Sequence, residues 1–160
     1  GWYEMKVAIG TDHGGYTLKS DLVKVLESLG HKVIDKGAYN YDADDDYPDF
    51  AGPVAEAVQS GGADRGIILC GSGVGACIAA NKFPGIRAGL CHDTYSAGQG
   101  VRHDDMNVLC LGARVVGVAV VEDLVRSFMS ASLESDSRFR RRLDKVAAIE
   151  NEQIPRGRQN

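Results

Sequence analysis

The chain alternates five times between a short apolar segment and a longer segment with helical periodicity, and no other feature constrains its fold as strongly. The apolar segments predict strands over residues 5–10, 33–34, 65–70, 86–91 and 108–111. They are uniformly apolar, which is typical of strands covered on both faces. Apolar residues at helical spacing predict helices over 16–29, 50–59, 73–82, 116–130 and 137–150, with another beginning at 93. This order of elements predicts an open, parallel α/β sandwich with a five-stranded sheet.

A single domain accounts for the length of the chain. It has 160 residues, and a domain of about 150 residues buries roughly 68–70% of the surface of its unfolded chain. No apolar run reaches the roughly 20 residues of a membrane-spanning helix, and no signal-peptide pattern opens the sequence. We expect the domain to span residues 5–152, after a tag remnant or short extension at 1–4 and before a loose tail at 153–160.

Charge and cysteine content narrow the class of partner. The chain carries 18 basic and 22 acidic residues, a net charge of -4, whereas nucleic-acid backbones bind basic surfaces. Cysteines at 70, 77, 91 and 110 lie in or beside apolar segments and form no CxxC pair. This pattern is typical of small buried side chains in a reducing cytosol and disfavours structural zinc. We therefore expect a cytoplasmic protein with neither nucleic acid nor a membrane as a partner.

A glycine-rich turn follows the third predicted strand, at the end where ligands bind in parallel α/β folds. Gly71, Gly73 and Gly75 precede a predicted helix, and their amides are able to approach a phosphate or an oxyanion closely. A simple tight turn is one alternative. Another is a dinucleotide fingerprint, since the turn with Ala76 fits GxGxxA and Asp93 lies about 20 residues further on. That fingerprint normally opens the first strand–helix unit, and this chain leaves no room for a separate substrate domain.

Three further residues beside predicted strands and loops are candidates for catalysis. Cys70 directly precedes the turn, where helix starts favour thiolates, so it is either a base or nucleophile or a buried strand-end residue. His13 and His103 each adjoin an aspartate in a polar segment, which suits acid–base chemistry as well as simple solvation. A metal site built from Asp12 and His13 together with Asp104 and Asp105 is a weaker alternative, because no ligand spacing is diagnostic. We expect no metal.

Two charged runs admit both a structural and a functional interpretation. Arg138 and Arg142 are four residues apart and share a face of the last helix, which is either a solvated basic face or a clamp for phosphate. We expect the apolar residues of this helix, Phe139, Leu143 and Val146, to form its buried face. The acidic run at 42–46 predicts a solvated loop, since it lacks the spacing of a calcium loop.

Six segments carry a resemblance to a known family: 6–15, 46–48, 70–75, 79–82, 85–88 and 107–109. Together they are similar to the type B ribose-5-phosphate isomerases, a family that includes galactose-6-phosphate and allose-6-phosphate isomerases. The similarity spans residues 5 to about 150. It implies a single-domain, Rossmann-like three-layer α/β fold and an aldose–ketose isomerase that uses neither metal nor cofactor. It also implies a homodimer or a dimer of dimers, with a sugar phosphate bound at the subunit interface.

The resemblance further implies a role for each matching residue. Cys70 matches the base that shuttles the proton, and His103 matches the residue that opens the furanose ring. Some members carry a glutamate base at the position of Ala76, which cannot serve here. The positions that match substrate-binding residues are Asp12, His13, Tyr47, Gly71, Ser72, Gly73, Val74, Gly75, Asp104, Arg114, Arg138 and Arg142.

Asp104 departs from the family pattern, because many members have asparagine there. An ionised aspartate cannot donate a hydrogen bond, so the preferred sugar stays open among ribose 5-phosphate, allose 6-phosphate, galactose 6-phosphate and a tetrose phosphate. Two other classes of function also stay open. A non-catalytic sugar-phosphate or nucleotide sensor would need neither Cys70 nor His103, and a nicotinamide dehydrogenase would bind its cofactor at the glycine turn.

Overall fold

The computed structural model describes residues 3–154, so residues 1–2 and 155–160, which hold most of the predicted terminal segments, lie outside the described part. Its sheet has five parallel strands in the order β2-β1-β3-β5-β4, namely β1 (Lys6–Thr11), β2 (Lys32–Asp35), β3 (Arg65–Cys70), β4 (Ala88–Leu90) and β5 (Val108–Gly112). The helices are α1 (Lys19–Ser28), α2 (Pro48–Gln59), α3 (Val74–Ala80), α4 (Thr94–Asp104), α5 (Val118–Ser130) and α6 (Ser137–Gln153), and a short 3-10 turn (Tyr16–Leu18) precedes α1. The predicted five-stranded parallel α/β sandwich is confirmed.

The strands are uniformly apolar because successive side chains enter two different cores. Ile67 and Leu69 of β3 pack with α1, α4 and α5 on one face, whereas Ile68 and Cys70 pack with α2 and α3 on the other. This is the two-residue alternation of a strand with both faces covered. Cys91 and Cys110 are buried as predicted, while Cys77 is only half-buried.

The fourth strand is shorter than predicted because side chains replace strand pairing at its start. The prediction over 86–91 becomes a strand of three residues, Ala88–Leu90. The Arg87 N–H donates to the Asn107 side chain at 2.8 Å, and the Arg87 guanidinium donates to the Asp105 carbonyl at 2.6 Å. These bonds hold the two chain segments together outside the sheet.

Helix α6 lies on the outside of the domain, and its predicted buried face is only partly correct. Phe139 is buried, Leu143 is half-buried, and Val146 is 53% exposed, as is the equally apolar Ile149 at 61%. The reason is that α6 lies along the domain surface: Phe139 stacks on His103 of α4, and near the other end of α6 the Glu150 carboxylate accepts the Gly85 N–H at 2.8 Å, while Val146 and Ile149 face outward. None of the helices within residues 3–154 is long and apolar enough to cross a membrane.

Candidate active site

An open pocket of about 580 Å³ lies at the carboxyl ends of β1 and β3, close to the segment that follows β5. The pocket is lined by Asp12, His13, Gly14, Thr17, Tyr41, Tyr47, Cys70, Gly71, Ser72, Gly75 and Arg114. Eight of these are predicted substrate-binding or catalytic residues. Gly14, Thr17 and Tyr41 are additions, and of these only Gly14 had a sequence signal, as part of the segment at 6–15.

Cys70 occupies the end of β3 with its thiol held by the turn that follows. It is 5% exposed, and the Gly73 N–H donates to its Sγ at 3.1 Å. Gly73 has φ +82, a conformation that glycine adopts without strain, and this conformation aims its N–H back at the sulfur. An N–H donor at that position stabilises negative charge on Sγ, which suits Cys70 as a base.

The segment after β5 fixes the position of the glycine turn. The Ala113 N–H donates to the Cys70 carbonyl at 2.9 Å, and the Arg114 N–H donates to the Gly71 carbonyl at 3.0 Å. A Cβ on Gly112 would lie 2.6 Å from the Ser72 carbonyl group, so the two backbones touch at this point. The turn is therefore rigidly placed, and the same bonds bring the Arg114 side chain to the pocket.

His13 is held by a carboxylate that the sequence analysis placed in a solvated loop. Asp45 Oδ1 lies 2.6 Å from His13 Nδ1 and accepts the His13 backbone N–H at 2.9 Å. The Asp45 side chain is only 9% exposed, so the prediction of a fully solvated acidic loop is wrong for this residue. Hydrogen bonding to Asp45 raises the pKa of His13, which favours the imidazolium form.

Asp12 lies beside this pair at the end of β1. Its Oδ1 accepts the Gly14 N–H at 2.9 Å, and burial raises the pKa of its carboxyl. Asp12, His13 and Asp45 offer side-chain atoms within 4.8 Å of one another, but the short contact between His13 and Asp45 is a hydrogen bond and leaves no room for an ion between them. We assign no metal ligands here, and metal-free chemistry stays a prediction.

Of the predicted site residues that do not line the pocket, Gly73 and Val74 belong to the glycine turn, whereas His103, Asp104, Arg138 and Arg142 lie toward the amino ends of the strands. His103 and Asp104 end α4 just before the amino end of β5, whereas Cys70 pairs with Gly112 at the carboxyl end. A five-residue strand spans about 16 Å, so β5 alone separates the two groups by roughly that distance. Arg138 begins α6, which packs against α4 on that same side. One chain therefore brings together only part of the predicted site.

His103 is nevertheless firmly oriented where it lies. Its ring stacks on Phe139 with ring centroids 4.0 Å apart. His103 Nδ1 lies 3.1 Å from Gln99 Nε2, and His103 Nε2 lies 3.6 Å from a carboxylate oxygen of Glu134. The nearby Arg138 donates to the exposed Asp136 carboxylate at 3.0 Å. His103 and Arg138 are therefore each held beside a carboxylate, that of Glu134 or Asp136, and neither residue lines the pocket that contains Cys70.

The dinucleotide alternative finds no support in the strand order. β5 lies between β3 and β4, so the residues that follow β4 are one strand removed from the glycine turn. The Asp93 carboxylate accepts the Ser96 N–H at 2.7 Å as the cap of α4. His92 Nε2 accepts the Gly112 N–H at 2.9 Å. Asp93 is thus a helix cap, and neither residue lines the pocket.

The sequence is similar to a known protein family and to several of its characterised members. The Ribose/Galactose Isomerase family model matches residues 7–146. Ribose-5-phosphate isomerase B of Escherichia coli K12 is 45% identical over 145 residues, which cover 91% of this chain and 96% of that protein. The D-erythrulose-4-phosphate isomerase of Pectobacterium atrosepticum is 40% identical over 133 residues, 81% of this chain and 86% of that protein.

A solved structure with a bound sugar phosphate is also similar. Ribose-5-phosphate isomerase B of Mycoplasma genitalium, in complex with ribulose-5-phosphate, superposes with a TM-score of 0.87. Its sequence is 40% identical, and the similarity covers 92% of this chain and 97% of that one. Because the match covers 92% of this chain, it includes the segments at both the carboxyl and the amino ends of the strands.

Proposed function

This chain belongs to the Ribose/Galactose Isomerase family, and on that basis we propose that it interconverts ribose 5-phosphate and ribulose 5-phosphate without a metal or cofactor. The observation that carries this proposal is the pocket at the carboxyl edge of the sheet, where the buried Cys70 thiol lies beside His13, Arg114 and the glycine turn. The sugar phosphate bound by the Mycoplasma genitalium relative supports the choice of substrate.

The reaction moves a proton between two neighbouring carbon atoms of the open-chain sugar. The Cys70 thiolate removes the proton from C2, the electron pair of that C–H bond forms the enediolate double bond, and negative charge passes to the oxygen on C1. The thiol then delivers the proton to C1 while the hydroxyl proton on O2 moves to O1, which leaves a ketone at C2. A single base on one face of the sugar performs both carbon transfers.

Charge that develops on the enediolate oxygens needs N–H donors that are already in place. Gly71, Ser72 and Gly75 line the pocket next to Cys70, and the backbone after β5 holds the turn through the carbonyls of Cys70 and Gly71. Because these bonds exist before substrate arrives, the turn has no reorganisation to undergo during the reaction. The same placement supports the proposed binding roles of Gly73 and Val74 within the turn.

We infer that a second copy of the chain completes each site. Ring opening needs an acid–base group and the phosphate needs cations, yet His103, Arg138 and Arg142 lie about a strand length from Cys70 in the same chain. In a two-fold dimer, a residue that contacts a second residue of the partner is matched by the reverse contact. One interface would therefore complete two sites. The exposed Val146 and Ile149 of α6 supply apolar surface for such an interface, which is compatible with a homodimer or a dimer of dimers.

The arginines of α6 are expected to bind the phosphate across this interface. Arg138→Ala or Arg142→Ala removes a hydrogen bond to a charged group, about 1.5–3 kcal/mol, and should raise KM roughly 10–150-fold with kcat changed far less. Arg138 loses little by leaving Asp136, because exposed ion pairs contribute about 0–1 kcal/mol. Steady-state kinetics on ribose 5-phosphate measure the effect, with Arg126→Ala as the control, since Arg126 pairs with Glu122 on α5. An unchanged KM in both variants would mean that the arginines form only a solvated face.

The fixed position of the glycine turn gives a second expectation. Gly112→Ala places a Cβ 2.6 Å from the Ser72 carbonyl group, and overpacking of this kind costs about 1–3 kcal/mol. Since the turn must move to relieve the contact, we expect lower kcat/KM together with a lower Tm. Gly117→Ala is the matched control, because a Cβ there meets nothing within 4 Å. Wild-type kcat/KM in Gly112→Ala would contradict the rigid placement of the turn.

An isomerisation assay across sugar phosphates tests the proposed function as a whole. The panel contains ribose 5-phosphate, allose 6-phosphate, galactose 6-phosphate and D-erythrulose 4-phosphate, with kcat/KM measured for each. We expect the highest value on ribose 5-phosphate. A higher value on another member would reassign the substrate, and Asp104, the departure from the commoner asparagine, is the first position to exchange in that case. Binding without turnover on every member would make the chain a sugar-phosphate sensor.

A further inference from the structure

The segment that joins β2 to α2 carries four aspartates in five residues, and only one of them turns inward. Asp42, Asp44 and Asp46 are exposed, whereas the side chain of Asp45 is 9% exposed. Its Oδ1 accepts the His13 backbone N–H at 2.9 Å and contacts His13 Nδ1 at 2.6 Å. A buried carboxylate that makes two bonds to one histidine, 32 positions away, requires an explanation beyond solubility.

The other oxygen of this carboxylate is unsatisfied. Asp45 Oδ2 is buried and has no hydrogen-bond partner among the described residues. Burying a carboxylate with an orphaned oxygen is unfavourable unless a nearby cation compensates. Within residues 3–154, the one ion-pair partner of the Asp45 carboxylate is the His13 imidazole. The arrangement is therefore best stabilised when His13 is protonated.

The order of the two groups relative to the pocket is also informative. His13 lines the pocket and Asp45 does not, so the carboxylate lies behind the ring. Because Nδ1 is occupied by Asp45, the remaining donor of the ring is Nε2. A carboxylate behind a histidine fixes the ring orientation and stabilises the imidazolium without itself becoming protonated.

We propose that Asp45 is a positioning residue, which fixes the His13 ring and keeps it protonated so that Nε2–H meets the anionic group of the substrate. This inference rests on the proposed function for the identity of that substrate. Hydrogen bonding to Asp45 raises the pKa of His13, in agreement with the geometry. The imidazolium is fully present below that pKa and is lost as pH rises through it.

Other charged and titratable groups also face His13. They are Asp12 at the end of β1, Cys70 at the end of β3, Arg114 after β5, and the phenols of Tyr41 and Tyr47. Asp12 acts in the same direction as Asp45 on the pKa of His13, but as a smaller influence. A variant that changes only Asp45 therefore reports on the larger of the two.

Asp45→Asn separates the charge of Asp45 from its role as a loop anchor. The amide oxygen still accepts the His13 backbone N–H, so the loop keeps its attachment, while the negative charge is lost. Asp44→Asn is the matched control, because it removes one charge from the same loop at an exposed position. Histidine Cε1–H resonances followed by NMR against pH, with His13→Gln for assignment, give the titration midpoint of His13 in each variant.

We expect the His13 midpoint to fall by about one pH unit or more in Asp45→Asn, the scale of a neighbouring opposite charge, and to stay unchanged in Asp44→Asn. One unit lowers the imidazolium population about tenfold above both midpoints. At a pH above both measured midpoints, the KM for ribose 5-phosphate and the inhibition constant of inorganic phosphate should then rise about tenfold, with kcat within about twofold.

Two results would overturn the proposal. One is an unchanged His13 midpoint in Asp45→Asn. The other is a shifted midpoint with unchanged binding of both ribose 5-phosphate and phosphate, which would make Asp45 a structural anchor alone. The NMR titration needs no turnover, so a failure of the isomerase assay and a failure of this inference are distinguishable.

Discussion

Cys70→Ala is expected to abolish turnover while it leaves sugar-phosphate binding largely intact. Loss of a positioned acid–base group typically costs on the order of 10²–10⁴-fold in rate, and here one thiol is proposed to carry both proton transfers. The phosphate is bound elsewhere in the proposed site, so affinity does not depend on the sulfur. Steady-state kcat on ribose 5-phosphate and equilibrium binding of a phosphorylated sugar acid measure the two effects separately.

Cys110→Ala is the matched control for this variant. Cys110 is buried on β5 and packs in the same core as Cys70, yet it does not line the pocket. Its substitution is expected to lower the free energy of unfolding and to leave kcat near the wild-type value. Thiol alkylation should inactivate the wild-type enzyme, and substrate should slow that inactivation. If kcat of Cys70→Ala were within about threefold of wild type, Cys70 would not be the base, because loss of a base costs far more than threefold in rate.

The fold could be predicted because its strands enter two cores and therefore show no polar face. Uniformly apolar segments such as 65–70 are legible in the sequence, and the ends of these segments mark where Cys70 and the glycine turn lie. The order of the strands within the sheet, by contrast, cannot be recognised from these segments. The insertion of β5 between β3 and β4 depends on how α4 crosses the sheet, and it is this insertion that removes Asp93 from the pocket.

The role of Asp45 could not be predicted, because a run of aspartates carries no signal for which member turns inward. Asp45 turns inward because it accepts the His13 backbone N–H. These two residues become neighbours only when the end of β1 and the loop before α2 meet in the folded chain. The predicted buried face of α6 is only partly correct because an apolar stripe in the sequence does not show whether the same chain covers it. Phe139, Leu143 and Val146 share a helix face, but the chain offers a buried place only to Phe139. We propose that a second copy of the chain packs against the rest of this stripe.

Mixing two inactive variants is expected to restore activity if each site draws on two chains. Cys70→Ala lacks the proposed base, and His103→Asn lacks the group proposed to open the ring, a loss on the order of 10²–10⁴-fold on the cyclic substrate. In a heterodimer one site combines the intact Cys70 of one chain with the intact His103 of the other. Random reassembly of a two-fold dimer should therefore recover about a quarter of wild-type activity, because half of the dimers are mixed and each holds one complete site.

A second mixture tests the same point in the opposite direction. The double variant, Cys70→Ala with His103→Asn on one chain, is co-refolded with an equal amount of wild type. If sites lie across the interface, every mixed dimer is inactive and activity falls to about a quarter. If each site lies within one chain, wild-type subunits keep their activity in every dimer and about half remains. Recovery in the first mixture with a quarter in the second supports shared sites, whereas no recovery with a half in the second would confine the site to one chain and leave His103, held on Phe139, without a catalytic role.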